Sequence, residues 1–185
     1  GPTVGDPTTL GDAKKVIKKY KLTAGPSIVA YLDDEKNETP KPDDKIFDNT
    51  AYQLIATPEK SLQAAAKFFR EKNITPYIIS SELEGDTNEC AFFHAAMAKR
   101  ILGKNEPFQK PCVIISGGET TVKVEGQGQG GPNTQFMLKT AIELDGIENA
   151  YALACDTDGI DGIMDNAGAI IAPDTLKRAE EHDLS

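Results

Sequence analysis

From about Thr50 onward, the chain alternates between two patterns of apolar and polar residues, one typical of strands and the other typical of helices. Short apolar runs predict strands at residues 52–56, 75–80, 112–115, 151–155 and 169–172. Between these runs, apolar residues recur at helical spacing, which predicts helices at residues 58–72, 87–102, 134–145 and 174–182. Because strands and helices alternate, the pattern predicts an α/β fold: a layered sheet with helices on both faces and mixed, mostly parallel strands.

The beginning of the chain follows a less regular pattern. Thr9 or Asp12 can cap a first short helix, and residues 26–32 predict a second one. The charged, proline-containing stretch that follows is typical of a surface loop. We therefore predict a connecting segment with short helices at residues 1–48 and an α/β domain at residues 49–185.

The densest group of glycines lies between two predicted elements. Gly117 and Gly118 are expected to end the strand that begins at Cys112, and a half-exposed strand is expected at residues 120–125, followed by a turn-like loop. That loop contains Gly126, Gly128, Gly130 and Gly131, and Pro132 and Asn133 then open a helix. Without β-carbons in the way, the backbone amides of such a loop can approach an anion closely, next to a helix N-terminus that favours negative charge.

Other interpretations of this loop remain open from the residues themselves. A mobile glycine hairpin without a ligand has the same composition. The spacing Gly126-x-Gly128-x-x-Gly131 also matches the dinucleotide fingerprint, but the preceding segment carries Lys123 and Glu125, whereas the first strand of a dinucleotide fold is buried on both faces. No Gly-Lys-Ser/Thr sequence follows, which excludes a Walker A loop.

A second polar motif follows the predicted strand at residues 151–155. Four aspartates lie there, at Asp156, Asp158, Asp161 and Asp165. The carboxyl ends of strands are where α/β sheets bind ligands, which makes these side chains candidates for chemistry. The alternatives are an Asp-Gly turn without a ligand and a calcium loop, and the spacing excludes an EF-hand because its fifth and twelfth positions are not oxygen ligands.

Charge and composition narrow the classes of partner. The net charge of −9 argues against binding to nucleic acid or to an anionic membrane. An apolar run long enough for a membrane span and a signal peptide are both missing, so we predict a cytoplasmic protein. Its three cysteines are expected to be reduced, buried thiols. His94 falls on an apolar helix face and is expected to be a hydrogen-bonded structural histidine, without a second ligand for zinc.

Three motifs together resemble a known family. SGGETTV at residues 116–122, GQGQGGPN at residues 126–133 and TDGIDGIMDNAGA at residues 157–169 are similar to the class II glycerate 2-kinases, in particular to their C-terminal MOFRL domain. The opening GPTVGDPTT and the ETPKPDD motif resemble this family too. Gln129 departs from the family pattern, because an arginine is usual at this position in the family. Some members of the family carry the name hydroxypyruvate reductase.

The resemblance implies an ATP-dependent kinase that phosphorylates the 2-hydroxyl of D-glycerate with the help of Mg²⁺. It places Asp158 as the key catalytic carboxylate, either facing the metal or orienting the glycerate hydroxyl, with Asp161 as a weaker catalytic candidate. It also implies a nucleotide site formed by Gly117, Gly118, Glu119, Gly126, Gly128, Gly130, Gly131 and Asn133. The chain is expected to be a piece that lacks a large N-terminal domain and is incomplete at its C-terminus, and therefore to be inactive by itself.

Two other functions are kept open. The glycine spacing and the family's second name would fit an NAD(P)-dependent hydroxypyruvate reductase. A non-catalytic α/β module that only binds a ligand, or packs against a partner domain, would fit the same sequence. Formation of a homo-oligomer is left open as well.

Overall fold

The computed structural model describes residues 4–184, which form two compact units. The first unit ends at Ile55 and the second begins at Ala56. The predicted domain boundary between residues 48 and 49 stays a prediction, and the first three residues of the predicted connecting segment lie outside the described part of the chain.

The first unit contains α1 (Leu10–Tyr20) and α2 (Pro26–Asp33), followed by two short 3₁₀ turns. Thr9 caps α1 as predicted: its hydroxyl accepts a hydrogen bond from the amide of Asp12, whose carboxylate in turn accepts one from the amide of Thr9. The predicted loop after α2 lies beside the start of the described chain, where the amide of Asp6 donates to the carbonyl of Pro40 over 2.9 Å. Backbone contacts therefore hold this loop in place.

The second unit has the predicted α/β composition. Its elements in chain order are α3 (Pro58–Glu71), β1 (Thr75–Asp86), α4 (Thr87–Lys104), β2 (Cys112–Thr121), α5 (Pro132–Leu144), β3 (Ala152–Cys155), β4 (Gly168–Ile171) and α6 (Thr175–Glu181). The strands pair as a parallel sheet of β1 and β2 and an antiparallel sheet of β3 and β4. The predicted α/β class is therefore confirmed.

Helices cover both faces of the parallel sheet. A β-carbon on Gly117 would lie 3.3 Å from the Leu62 side chain of α3, and the hydroxyl of the neighbouring Ser116 lies 2.9 Å from Nε2 of His94 on α4. Because successive residues of a strand face opposite sides, α3 and α4 lie on opposite faces.

The buried core of the second unit lies between α4, α5 and the small antiparallel sheet. Its buried apolar side chains are Ala95, Met137, Ala141, Leu144, Ala150 and Ile171. The residues at helical spacing on α5 thus face inward, as the pattern predicts. This packing fixes α5 against the sheet that leads into the aspartate motif.

The predicted strand at residues 52–56 is wrong. These residues are irregular, and Ile55 is 84% exposed. In the part of the chain that the structure describes, no strand pairs with this segment. An apolar run becomes a strand only where a neighbouring strand completes its hydrogen-bond ladder, which a periodicity in the sequence does not report.

The predicted end of one strand at residue 80 and the predicted strand break at Gly117 and Gly118 are also wrong. Both strands continue in parallel, with Leu83 opposite Gly118 and Asp86 opposite Thr121. The partner strand β1 compensates with two irregularities in register. Residues 122–125 lie outside any strand, so the predicted second strand at 120–125 is absent too.

Gly118 explains why the strands can continue. Its φ of 150° lies in a region that favours glycine, and an added β-carbon would overlap the backbone nitrogen and oxygen of Leu83. The glycine therefore permits the close approach of β1 instead of ending β2.

We expect Gly118→Ala to lower the free energy of unfolding by about 2 kcal/mol or more, because it adds both backbone strain and overlap with Leu83. Urea unfolding of the 185-residue chain measures the effect. Gly103→Ala is the matched control, since that glycine lies in α4 with open space around it and should gain about 0.5–1 kcal/mol. Equal stability of the two variants would contradict this account of Gly118.

The other features predicted from composition have mixed outcomes. His94 is buried, with Nδ1 2.8 Å from the carbonyl oxygen of Cys90 and Nε2 on the Ser116 hydroxyl, as expected for a structural histidine. Burial raises the pKa of the Cys90 and Cys112 thiols. Cys155 is exposed and the other two cysteines are half-buried, so the prediction of three buried thiols is wrong. None of the helices described here is long and apolar enough to cross a membrane.

Candidate functional site

The glycine loop immediately before α5 presents its backbone to solvent. Residues 126–129 are exposed, a β-carbon on Gly128 would meet nothing within 4 Å, and one on Gly126 would meet only the Gly128 nitrogen, at 3.9 Å. Within the described residues, the amides of 126–130 donate no hydrogen bond. Backbone amides must bind water or another acceptor, so this row of donors is open to an anionic ligand.

The end of the loop has a defined conformation. Gly130 has a φ of 141°, and a β-carbon there would lie 2.7 Å from the hydroxyl oxygen of Thr134. The amide of Gly131 donates to that hydroxyl over 2.9 Å, and the hydroxyl donates to the Gly131 carbonyl over 3.0 Å. Thr134 thus anchors the junction between the loop and the first turn of α5.

Asp161 lies at the N-terminus of α5, although it is far away in sequence. Its side chain is completely buried. The amide of Asn133 donates to Oδ1 over 2.9 Å, the amide of Thr134 donates to Oδ2 over 2.7 Å, and the Asn133 side-chain amide donates to Oδ1 over 3.1 Å. The carboxylate therefore caps the helix and balances its positive end.

The charge of Asp161 follows from these bonds. Burial raises the pKa of the carboxyl, but the hydrogen bonds donated by Thr134 and Asn133 outweigh burial, and the pKa lies below its ordinary value. Asp161 is consequently ionised near neutral pH, as a charge-assisted helix cap requires.

The backbones of the two glycine-containing motifs are in direct contact. A β-carbon on Gly131 would lie 2.5 Å from the carbonyl carbon of Asp161, and one on Gly162 would lie 2.5 Å from the carbonyl oxygen of Gly130. Gly162 also has a φ of 70°. The aspartate motif and the glycine loop are therefore joined by hydrogen bonds and by packing that only glycine permits.

Asp158 lies three residues before this junction and is exposed to solvent. Its Oδ1 accepts a hydrogen bond from the amide of Ile160 over 2.8 Å, and its own amide donates to Oδ1 of Asp156 over 3.3 Å. In the described residues its second oxygen, Oδ2, accepts no hydrogen bond. Local turns thus orient the carboxylate of Asp158 while one oxygen stays available to a ligand.

A cavity of about 280 Å³ opens at the carboxyl ends of β1 and β2. It is lined by the first turn of α4, by residues 121–123 and 125, and by Gln135 of α5, whose side chain donates to Asn88 over 2.8 Å. Strand ends of this kind are the usual ligand sites of α/β sheets. The cavity was not foreseen from the sequence, because its lining comes from three separate elements.

Comparison with known proteins adds the decisive observation. Residues 112–185, which contain the glycine loop and the aspartate motif, match the model of the MOFRL family. The predicted resemblance is confirmed for this part of the chain.

Nearly the whole chain, and not only residues 112–185, is similar to longer proteins. It is 36% identical over 191 residues to the glycerate 2-kinase of Pyrococcus horikoshii, covering 100% of this chain and 42% of that protein. It is 41% identical over 183 residues to an Agrobacterium vitis protein with a provisional hydroxypyruvate reductase name, covering 98% of this chain and 41% of that protein. The crystal structure of a glycerate kinase from Thermotoga maritima superposes with a TM-score of 0.76 at 34% identity, covering 96% of this chain and 41% of that one. The chain thus spans about two fifths of the length of these relatives.

The structure brings part of the predicted MOFRL site together. Gly130, Gly131, Asn133 and Asp161 lie in one contiguous cluster, and Asp158 lies on the same motif. Gly117 and Gly118 lie inside β2, where packing explains them, and Glu119 is exposed opposite Glu84 of β1. The predicted nucleotide-binding role of these three residues stays a prediction.

Thr134 was missed as a functional position. Its hydroxyl and its amide hold both the loop end and Asp161. A local signal for the first of these contacts exists, since a threonine three residues after a helix cap completes a capping arrangement. The contact with Asp161 has no such signal, because 27 residues separate the two partners.

Proposed function

We propose that the full-length protein is a glycerate 2-kinase, which transfers the γ-phosphoryl group of ATP to the 2-hydroxyl of D-glycerate. The observation that carries the proposal is the open row of amides at residues 126–130, joined through Asp161 to the motif that bears Asp158. This is an anion-binding loop next to an exposed carboxylate, on a chain similar to proteins named glycerate 2-kinase.

The roles of the residues follow from what phosphoryl transfer requires. The reaction needs alignment and charge neutralisation and little covalent participation by the protein. The amides of Gly126, Gly128 and Gly130 would bind phosphate oxygens of ATP. Asp158 would orient the glycerate hydroxyl or hold the metal, and Glu119 would face the same cleft.

The carboxylates of Asp156 and Asp158 are ligands of the kind that Mg²⁺ prefers. Clusters of three or more metal-binding side chains are absent from residues 4–184. Mg²⁺ in kinases is usually held by one or two carboxylates together with substrate phosphates, so Asp158, through its unoccupied oxygen, and the neighbouring Asp156 would hold the ion on the protein side. When bound, the ion would neutralise charge on the phosphate oxygens.

The geometry does not favour the NAD(P)-dependent hydroxypyruvate reductase. In a dinucleotide fold the first glycine turn directly follows a strand buried on both faces. Here β2 ends at Thr121, and residues 122–125 between it and the loop are exposed and irregular. The non-catalytic module remains an outcome that an assay can identify.

An assay of the full-length protein with glycerate and ATP tests the proposal. We expect glycerate-dependent ADP formation and no nicotinamide absorbance change with hydroxypyruvate. The 185-residue chain should fold but not turn over, because it spans about two fifths of the relatives' length. Glycerate-dependent ADP formation by this chain alone would show that a partner domain is unnecessary, and nicotinamide oxidation would favour the reductase. The predicted cytoplasmic location and a homo-oligomer are separate questions for the full-length protein.

A further inference from the structure

We propose that Asp161 is a positioning residue that holds the glycine loop in its phosphate-binding conformation and does not itself touch substrate or metal. This inference rests on the proposed kinase function for its kinetic consequences, while its structural part can be tested independently.

The first support is that the carboxylate is inaccessible. Asp161 has no exposed surface, and both of its oxygens accept hydrogen bonds from Asn133 and Thr134. A group that acts on a substrate or binds its metal must reach the reacting atoms. Asp158, three residues earlier, is exposed and has an unoccupied oxygen, so the two aspartates are suited to different tasks.

The second support is the place that the carboxylate occupies. The N-terminus of a helix is the usual position for a bound phosphate. In α5, however, Pro132 has no amide hydrogen, and the amides of Asn133 and Thr134 already donate to Asp161. The protein's own carboxylate thus fills the anion position of the helix. A phosphate group is left with the amides of residues 126–130, one step earlier in the loop.

The third support is the backbone contact on the other side of Asp161. Gly162 lies against Gly130 and Gly131 so closely that a β-carbon would lie 2.5 Å from the Gly130 carbonyl oxygen and 2.9 Å from the Gly131 α-carbon. The loop end is therefore held both by hydrogen bonds to the Asp161 side chain and by contact with the following residue. Release of either constraint should let the end of the loop lose its present backbone conformation.

Asp161→Asn in the full-length protein tests the inference. The asparagine side chain keeps the shape of the aspartate but loses its charge. One of the two oxygens becomes an NH₂ group that faces a backbone N–H donor, so the end of the loop should loosen. We expect the KM for ATP to rise about tenfold or more, the kcat to stay within a few-fold of the unmodified protein, and the acid limb of the pH profile to keep its position. Asp165→Asn, an exposed change in the same motif, should leave all three values unchanged.

Gly162→Ala disturbs the contact between Gly162 and the loop end without changing a charge. It should also raise the KM for ATP, because its β-carbon displaces Gly130. Gly159→Ala is the matched control for backbone strain: Gly159 has a φ of 90°, but an added β-carbon meets nothing within 4 Å. A larger KM effect at Gly162 than at Gly159 supports the positioning role, and equal effects would contradict it.

Hydrogen exchange of the Asn133 and Thr134 amides supplies a readout that does not depend on activity or on a folded variant. The pKa of Asp161 is lower in the folded protein than in the unfolded chain, so its stabilisation is complete above the unfolded value of about 4 and is lost as the pH falls through the lowered one. We expect both amides to be protected above this window and to lose protection within it.

The outcomes separate the two hypotheses. A fall in kcat with unchanged KM for ATP and loss of the acid limb in Asp161→Asn would make Asp161 a catalytic group and overturn the inference. Fast exchange of both amides at neutral pH would also overturn it. If the full-length protein shows no kinase activity but both amides are protected in the expected pH-dependent way, the proposed function fails while the capping role of Asp161 stands.

Discussion

In the full-length protein, Asp158→Asn is expected to lower kcat for glycerate-dependent ADP formation by about 10² or more, the scale for removing a positioned catalytic group. The substitution keeps the shape of the side chain and removes the charge. Its folded structure should persist, because Asp158 is exposed and the bond from Ile160 to Oδ1 can be retained by the Asn side-chain oxygen.

Thermal unfolding and steady-state kinetics on the same preparation measure this result. Asp165→Asn serves as the control, since Asp165 is an exposed aspartate in the same motif without a proposed role in the reaction. If Asp158→Asn keeps activity within a few-fold of the unmodified protein, Asp158 only shapes the turn.

The second large effect is expected at the glycine loop. Gly130→Val should raise the KM for ATP about tenfold or more and affect the KM for glycerate much less, because one charge-assisted hydrogen bond to phosphate contributes about 1.5–3 kcal/mol. Gly130 has a φ of 141°, where a β-branched residue is strained, and its β-carbon would meet the Thr134 hydroxyl at 2.7 Å. The amide at this position would turn away from a bound phosphate.

Gly128→Ala separates access of the ligand from strain in the loop. A β-carbon there meets no neighbouring atom within 4 Å, and Gly128 does not have a positive φ, so the fold should be unaffected. A higher KM for ATP in this variant would therefore report the approach of phosphate itself. An unchanged KM for ATP in folded Gly130→Val would refute the loop assignment, and an effect on glycerate alone would place the loop on the acceptor side.

Gln129 offers a test in the opposite direction. The family resemblance implies an arginine there, and Gln129 is exposed in the loop. Gln129→Arg should tighten ATP binding by about 1–3 kcal/mol if this position contacts phosphate. No change in affinity would show that the glutamine points away from the nucleotide.

Much of the fold could be predicted because it depends on local features. The helix α3 begins at Pro58 as predicted, and α4 and α5 begin within two residues of their predicted starts. Caps, proline at the first turn and helical spacing of apolar residues act within a few residues of one another, so they are visible in the sequence.

The strands were less predictable, because a strand depends on its partner. The apolar segment 52–56 reads as a strand and is irregular, whereas Gly117 and Gly118 read as a break and lie inside β2. In the second case the decisive atoms belong to Leu83 of β1, against which a glycine is required. Local sequence patterns carry no information about that distant neighbour.

The same distinction applies to the candidate site. Three features could be read from contiguous runs of residues: a glycine loop precedes a helix, aspartates follow a strand, and both motifs resemble one family. The burial of Asp161 at the start of α5 and the exposure of Asp158, in contrast, depend on how the chain folds. The reason is physical: the two aspartates have the same chemistry and nearly the same local sequence, and their difference comes from the amides of Asn133 and Thr134, which folding brings to one of them from 27 or 28 residues away.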